Sequence, residues 1–139
     1  MKTSYWLIKS EPYKYAFSQL QKDKVTTWDG VRNFEARNNL RAMKKGDLAL
    51  YYHSNEGKEV VGVARVRREA YQDPSTDEDW SAVDFEPVLA MKESVGLDAI
   101  RKNGRLREMQ LLKRSRLSVV PVTAAEFKEV LAAGKTKLP

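Results

Sequence analysis

The stretch Asp47-Leu48-Ala49-Leu50-Tyr51-Tyr52-His53-Ser54, followed by Asn55-Glu56-Gly57-Lys58 and then Glu59-Val60-Val61-Gly62-Val63-Ala64-Arg65-Val66-Arg67-Arg68-Glu69, decides the fold. Its first part is an apolar and aromatic run of strand length, and its middle is a hairpin-type turn, so the segment predicts a two-stranded meander. In the second strand Val61, Val63 and Arg65 share one face, while Val60, Gly62, Ala64 and Val66 share the other. This strand is therefore expected to be buried on both sides near its start, with Gly62 permitting close backbone approach.

Outward from the meander, Tyr5 to Lys9 reads as a first strand that ends before Pro12. Phe17 to Lys22 is expected to form one or two helical turns with Ser18 as cap, and Val25 to Trp28 to be short and extended. The spacing of Phe34, Arg37, Leu40 and Met43 predicts a helix from Asn33 that Gly46 closes. Beyond the meander, Asp73 to Asp79 is an acidic loop and Trp80 to Leu89 a returning strand. Leu97 to Lys102 reads as a short helix, Leu106 to Leu112 as a second short element, and Ser115 to Pro121 as the last strand. Thr123-Ala124-Ala125-Glu126 is a capping box that opens a helix running to Ala132, with Gly134 beyond it. Five or six short strands interleaved with short helices lack the alternation of a doubly wound sheet. The pattern predicts an α+β chain, a small and mostly antiparallel barrel with peripheral helices.

The 139 residues, 42% hydrophobic and 32% charged, fit one globular domain, 1–139, that buries a core without disulfides or metal. Cysteine is absent, which removes thiolate zinc sites and Cys nucleophiles and fits an expected cytoplasmic location. Only Tyr5-Trp6-Leu7-Ile8 precedes Lys9, too short an apolar run for a signal peptide, and no later run reaches membrane-spanning length. The net charge is +6. Glu69, Asp73, Asp77, Glu78, Asp79, Asp84 and Glu86 occur with no Lys or Arg among them, so the positive excess lies in other segments. One acidic lobe and several basic segments are expected to present an oriented field to a nucleic acid; the same charges also suit solvated faces of ordinary elements.

Signatures of catalysis are missing. The seven glycines fall in neither phosphate-loop order, and with one His and no Cys a zinc site is not expected. His53, at a strand end beside Ser54, admits three readings: a general base, a ligand or backbone hydrogen bond, or a structural group. Lys9 and Glu11 fall on one strand face with Ser10 opposite, which suits either a site or a surface ion pair.

Thr27-Trp28-Asp29-Gly30-Val31-Arg32-Asn33-Phe34-Glu35-Ala36-Arg37-Asn38-Asn39-Leu40 has the composition of a pocket wall. Trp28 offers a stacking surface, Asp29-Gly30 a turn, and Arg32, Asn33 and Asn38 hydrogen-bonding groups for the edge of a planar polar ligand. Core packing and helix capping are the competing uses of these residue types, but Arg32, Asn33, Arg37, Asn38 and Asn39 cannot all be caps.

Tyr5-Trp6-Leu7-Ile8-Lys9-Ser10-Glu11-Pro12, Trp28-Asp29-Gly30-Val31-Arg32-Asn33, Ala36-Arg37-Asn38-Asn39-Leu40, Gly46-Asp47-Leu48, Tyr52-His53-Ser54, Gly62-Val63-Ala64 and Ser115-Arg116-Leu117-Ser118-Val119 together resemble the ordered signature of EVE domains. The resemblance spans nearly the whole chain. Phe34-Glu35 stands where a Tyr-Gln pair would be equally at home, and no role is expected of it.

The resemblance implies a PUA-like pseudo-barrel related to ASCH and YTH domains, with a pocket that takes a modified nucleobase from DNA (modified cytosine) or RNA. The implied pocket is built from Lys9, Ser10 and Glu11, from Trp28, Gly30, Val31, Arg32 and Asn33 with Asn38, from His53 and Ser54, and from Ser115, Arg116, Leu117 and Ser118. Arg37, Arg41 and Arg114 are the expected phosphate contacts. The expected partner is a nucleic acid, with no membrane, no cofactor, no metal and a monomeric chain. A non-enzymatic reader is the leading expectation. The rivals are a small nucleoside-directed hydrolase of ASCH type using Lys9 and Glu11, and a nucleotide or small-molecule sensor.

Overall fold

The computed structural model describes residues 3–139. Six strands form one sheet: β1 (Tyr5–Ser10), β2 (Thr26–Trp28), β3 (Leu48–His53), β4 (Glu59–Gln72), β5 (Ser81–Gly96) and β6 (Val119–Val122), in the order β2-β5-β4-β3-β1-β6. Among the described residues only β1 and β3 run parallel; every other neighbouring pair is antiparallel. The pseudo-barrel is not closed by hydrogen bonds, and β2 and β6 are its two free ends.

The expected meander is β3 and β4, with Leu50 opposite Val63 and Ala49 opposite Ala64. Burial on both sides near the start of β4 is present at Val60, Gly62, Val63 and Ala64, but the strict alternation is not. Tyr51 pairs with Gly62 and Tyr52 with Val60, so Val61 is an extra residue in a bulge. A Cβ on Gly62 would lie 2.4 Å from the Phe17 ring, so the backbone of β4 and this ring occupy space that only glycine leaves free.

Helices cover the sheet: α1 (Pro12–Tyr15), α2 (Phe17–Asp23), α3 (Phe34–Ala42), α4 (Leu97–Lys102), α5 (Gln110–Lys113) and α6 (Ala124–Ala133). Helix α6 starts as expected, with Thr123 accepting from the Glu126 backbone and Glu126 accepting from the Thr123 backbone. Helix α3 is capped by Asn33, whose Oδ1 accepts from Ala36 N at 3.0 Å. Pro12, expected only to stop β1, also opens α1, where a missing N–H costs nothing.

Several boundaries differ from the sequence reading. Ser18 does not cap α2; Ala16 occupies that position without a side-chain bond. Helix α3 stops at Ala42, and Gly46 instead makes the left-handed turn (φ +94°) into β3. Strands β4 and β5 pair with each other well beyond the expected limits, because their outer halves satisfy one another's backbone groups. The last strand starts at Val119 rather than Ser115, since Arg114–Arg116 form a turn.

Charge does not segregate as expected. The acidic segment folds back on the basic residues: Asp73 binds Arg32, Asp79 binds Arg37 and Arg41, and Glu86 binds Arg65 and Arg67. Sequence distance concealed this because each partner lies on a different element. Among the described residues no helix is long and apolar enough to cross a membrane.

Candidate nucleic-acid interface

A cavity of about 750 Å³ lies where the sheet fails to close. Its walls come from β2 at one sheet end, from the Ser115–Ser118 segment that leads into β6 at the other, and from the C-terminal ends of the parallel pair β1 and β3. Lys9, Ser10, Glu11, Trp28, Gly30, Val31, Arg32, Ser54, Arg116 and Ser118 all line it. These residues come from four separate sequence segments, and the fold brings them to one place.

The β2 side is held by buried contacts. The half-buried Trp28 ring stands edge-on to Tyr51 (5.6 Å, 86°) and to Phe85 (5.8 Å, 84°). Tyr51 is in turn edge-packed on Phe17 (5.2 Å), and its hydroxyl donates to Tyr15 O at 2.6 Å. After Trp28 the chain turns at Gly30, in left-handed backbone (φ +75°). Fully buried Asp73 fixes this turn, accepting from Gly30 N at 2.8 Å and Arg32 Nη1 at 3.0 Å, and from Ser75 N and Oγ. Burial alone would raise the Asp73 carboxyl pKa. The hydrogen bonds from Ser75, Gly30 and Arg32 outweigh it and hold the group far below the usual carboxylate range.

The opposite side is basic and less constrained. Lys9 Nζ donates to Ser115 O at 2.9 Å, and Lys9 N donates to Ser118 O at 3.0 Å. Burial lowers the Lys9 pKa from the ordinary lysine value. Among the described residues neither Lys9 nor Arg116 has a carboxylate partner.

The expected Lys9–Glu11 pair is not formed. The strand ends at Ser10, and Glu11 turns to accept from Tyr13 and from Asn55 Nδ2 (2.8 Å) and to pair with Lys14 (3.1 Å). The Tyr13, Lys14 and Asn55 hydrogen bonds lower the Glu11 pKa and keep it ionised.

Four expected pocket residues lie elsewhere. His53 Nε2 accepts from Phe17 N at 3.1 Å, the backbone role among its three readings, and burial lowers its pKa. Leu117 is in the core. Asn33 is committed to capping α3 and borders a neighbouring recess of about 260 Å³ with Lys113, Arg114 and Arg116. Exposed Asn38 accepts from Arg37, because the helical turn carries it past the cavity rim. The expected phosphate contacts are partnered by acids, Arg37 and Arg41 by Asp79 and Arg114 by a two-pronged bond to Glu35. Lys14, Tyr15, Thr26 and Thr27 line the cavity without having been expected there. Only Thr26 and Thr27 carried a signal, their adjacency to Trp28 on an extended segment. Asp73 carried none, since it sits in a loop with five other acidic or hydroxyl-bearing residues. Among the described residues no cluster of three His, Asp or Glu side chains is placed to hold a metal.

The family model of the EVE domain matches residues 4–133. The chain belongs to the EVE-domain family. Thymocyte nuclear protein 1 of Homo sapiens is 38% identical over a match that covers 94% of this chain and 73% of that protein. Among solved structures, Rpa0253 from Rhodopseudomonas palustris is 45% identical with a TM-score of 0.92, covering 96% of this chain and 94% of the other. Human THYN1 protein in complex with 5-methylcytosine-containing DNA is 36% identical with a TM-score of 0.87, covering 97% and 99%. ASCH from Zymomonas mobilis is 10% identical with a TM-score of 0.57, over 93% and 94%, a likeness of fold alone.

Proposed function

We propose that this EVE domain is a non-enzymatic reader of modified cytosine in DNA, and that it takes the modified base into the cavity beside Trp28. The observation that carries the reading is the preformed cavity itself. A ring held edge-on by two aromatic neighbours shares a cavity of about 750 Å³ with a lysine and an arginine that have no carboxylate partner among the described residues, within the range of about 300–1,000 Å³ usual for small-molecule sites. The 36% identical human relative, solved with 5-methylcytosine-containing DNA, supports the choice of ligand.

A base inside a duplex cannot reach such a recess, so it enters from single strands or by extrusion, at a cost of a few kcal/mol. Stacking on an aromatic ring returns about 1–3 kcal/mol and Lys9 and Arg116 attract the flanking phosphates. Burying one extra methyl is worth about 0.8 kcal/mol, so contact alone favours the methylated base only about fourfold. An ASCH-type hydrolysis through Lys9 and Glu11 loses support because each is engaged elsewhere, Lys9 with Ser115 O and Glu11 with Tyr13, Asn55 and Lys14.

The test is fluorescence anisotropy with DNA and RNA oligonucleotides, single- and double-stranded, carrying cytosine or 5-methylcytosine at one position. Methylated DNA is expected to bind more tightly than unmodified DNA, and Trp28→Ala to lose about tenfold in affinity and the preference. Equal affinity for every oligonucleotide, unchanged in Trp28→Ala, overturns the reading. Preference for modified RNA over DNA replaces the ligand and keeps the cavity.

A further inference from the structure

Outside the cavity, an aromatic and cationic cluster continues its wall. Phe34, the first residue of α3, is 66% exposed and contributes nothing to the core. Its ring lies nearly parallel to that of Trp80, 5.1 Å away at 19°. The Arg37 guanidinium sits 5.0 Å from the Phe34 ring centre and 5.7 Å from that of Trp80, and the Arg32 guanidinium sits 5.5 Å from Trp80. Arg32 is anchored from behind by the buried Asp73, and Arg37 binds the backbone carbonyl and the exposed carboxylate of Asp79. Arg32 also lines the cavity, so one side chain joins the two sites.

We infer that the Phe34–Trp80 pair is a second stacking platform, which holds the nucleobase adjacent to the one seated in the cavity. This inference rests on the reading of the cavity as a base pocket.

Three observations point to a base rather than to another occupant. An exposed phenyl ring in a layered set of rings and guanidinium planes offers the flat, sequence-tolerant surface that bases stack on, and guanidinium groups add favourable cation–π contacts. Arg116, which among the described residues has no carboxylate partner, lines both the cavity and the recess that Asn33 borders at the α3 start, so a phosphate beside the platform meets positive charge there. The link through Arg32 makes platform and cavity successive stations for one strand. The buried Asp73 carboxylate fixes the Arg32 guanidinium before the strand arrives, which lowers the ordering cost of binding.

The experiment uses the full chain and a single-stranded oligonucleotide with one 5-methylcytosine. Each neighbouring nucleotide is replaced in turn by an abasic residue, which keeps the phosphate and removes the base. One abasic position is expected to lower wild-type affinity on the order of tenfold, and Phe34→Ala to lower affinity for the intact strand by a similar factor. Combined, the two changes should cost no more than either alone, because they remove the same contact. Phe34→Trp should retain affinity and Phe34→Leu should behave like Phe34→Ala, since stacking needs a ring. Thermal melting checks that each variant is folded; exposure of Phe34 predicts that all are.

Unchanged affinity in Phe34→Ala, or losses that multiply when combined with each abasic position, overturns the platform. If Phe34→Ala leaves DNA affinity intact but abolishes capture of a protein partner, the surface is a protein-docking site and the inference fails. Loss of the methyl preference in Trp28→Ala, measured beside these, shows whether the cavity reading stands when the platform falls.

Discussion

The two walls of the cavity are built on opposite plans. On the β2 side, Trp28 to Arg32 is fixed before any ligand arrives: aromatic edges hold the indole, and a buried carboxylate holds the turn and the guanidinium. On the other side, Lys9 and Arg116 carry charge that no carboxylate among the described residues neutralises, on a strand end and a turn. A flat surface must be rigid to stack well, because any reorientation takes away from the stacking free energy. A cation that meets a phosphate gains by remaining unpaired until the ligand arrives, since an existing ion pair would have to be broken.

The rigid wall can be broken from behind. Gly62→Ala places a methyl carbon 2.4 Å from the Phe17 ring, and Phe17 supports Tyr51, which supports Trp28. We expect a loss of about 3 kcal/mol in denaturant unfolding, together with a changed Trp28 environment in near-ultraviolet circular dichroism. An unaltered midpoint would show that the ring stack is not what positions Trp28.

Removing the carboxylate sharpens the comparison further. Asp73→Ala leaves Gly30 N–H and the Arg32 guanidinium without their buried partner and should cost about 2 kcal/mol. The pH dependence follows from the lowered folded-state pKa. The unfolded carboxyl titrates near about 4, so the Asp73 contribution is complete above that pH and is lost as pH falls toward the lower folded value. Stability of Asp73→Asn measured from neutral to acid pH should lack this component; an identical acid limb in both proteins would place the acid sensitivity elsewhere.

The basic wall should respond mainly in binding. Arg116→Ala and Lys9→Met are expected to leave the melting temperature within a few degrees of the parent and to weaken oligonucleotide affinity a few-fold. Each should reduce the slope of log affinity against log salt by about 1, the signature of one lost phosphate contact. An unchanged slope would mean that the side chain meets the base or nothing at all.

The parts of the site that were legible in sequence were those in which function and local chemistry coincide. Trp28-Asp29-Gly30 shows a ring and a turn residue side by side, and Gly30 indeed takes the left-handed conformation such a turn needs. Asn33 illustrates the limit: the same side chain suits a ligand or a helix N-terminus, and α3 claims it as cap. Glu11 illustrates another, because face-sharing with Lys9 holds only while the strand continues, and the strand stops one residue earlier. The role of Asp73 was invisible because the site residues it holds, Gly30 and Arg32, lie more than 40 residues away, on the far side of β3 and β4 in the chain.

What the sequence determined by itself is therefore local and repetitive: the β3–β4 meander, the capping box of α6 and the turn after Trp28, each set by side chains within a few positions of one another. The tertiary structure alone decided where the sheet stays open, which arginines are neutralised, and which polar side chains face the cavity. Those outcomes depend on contacts between elements distant in the chain, and the free energy of such contacts is fixed only when all the elements pack at once.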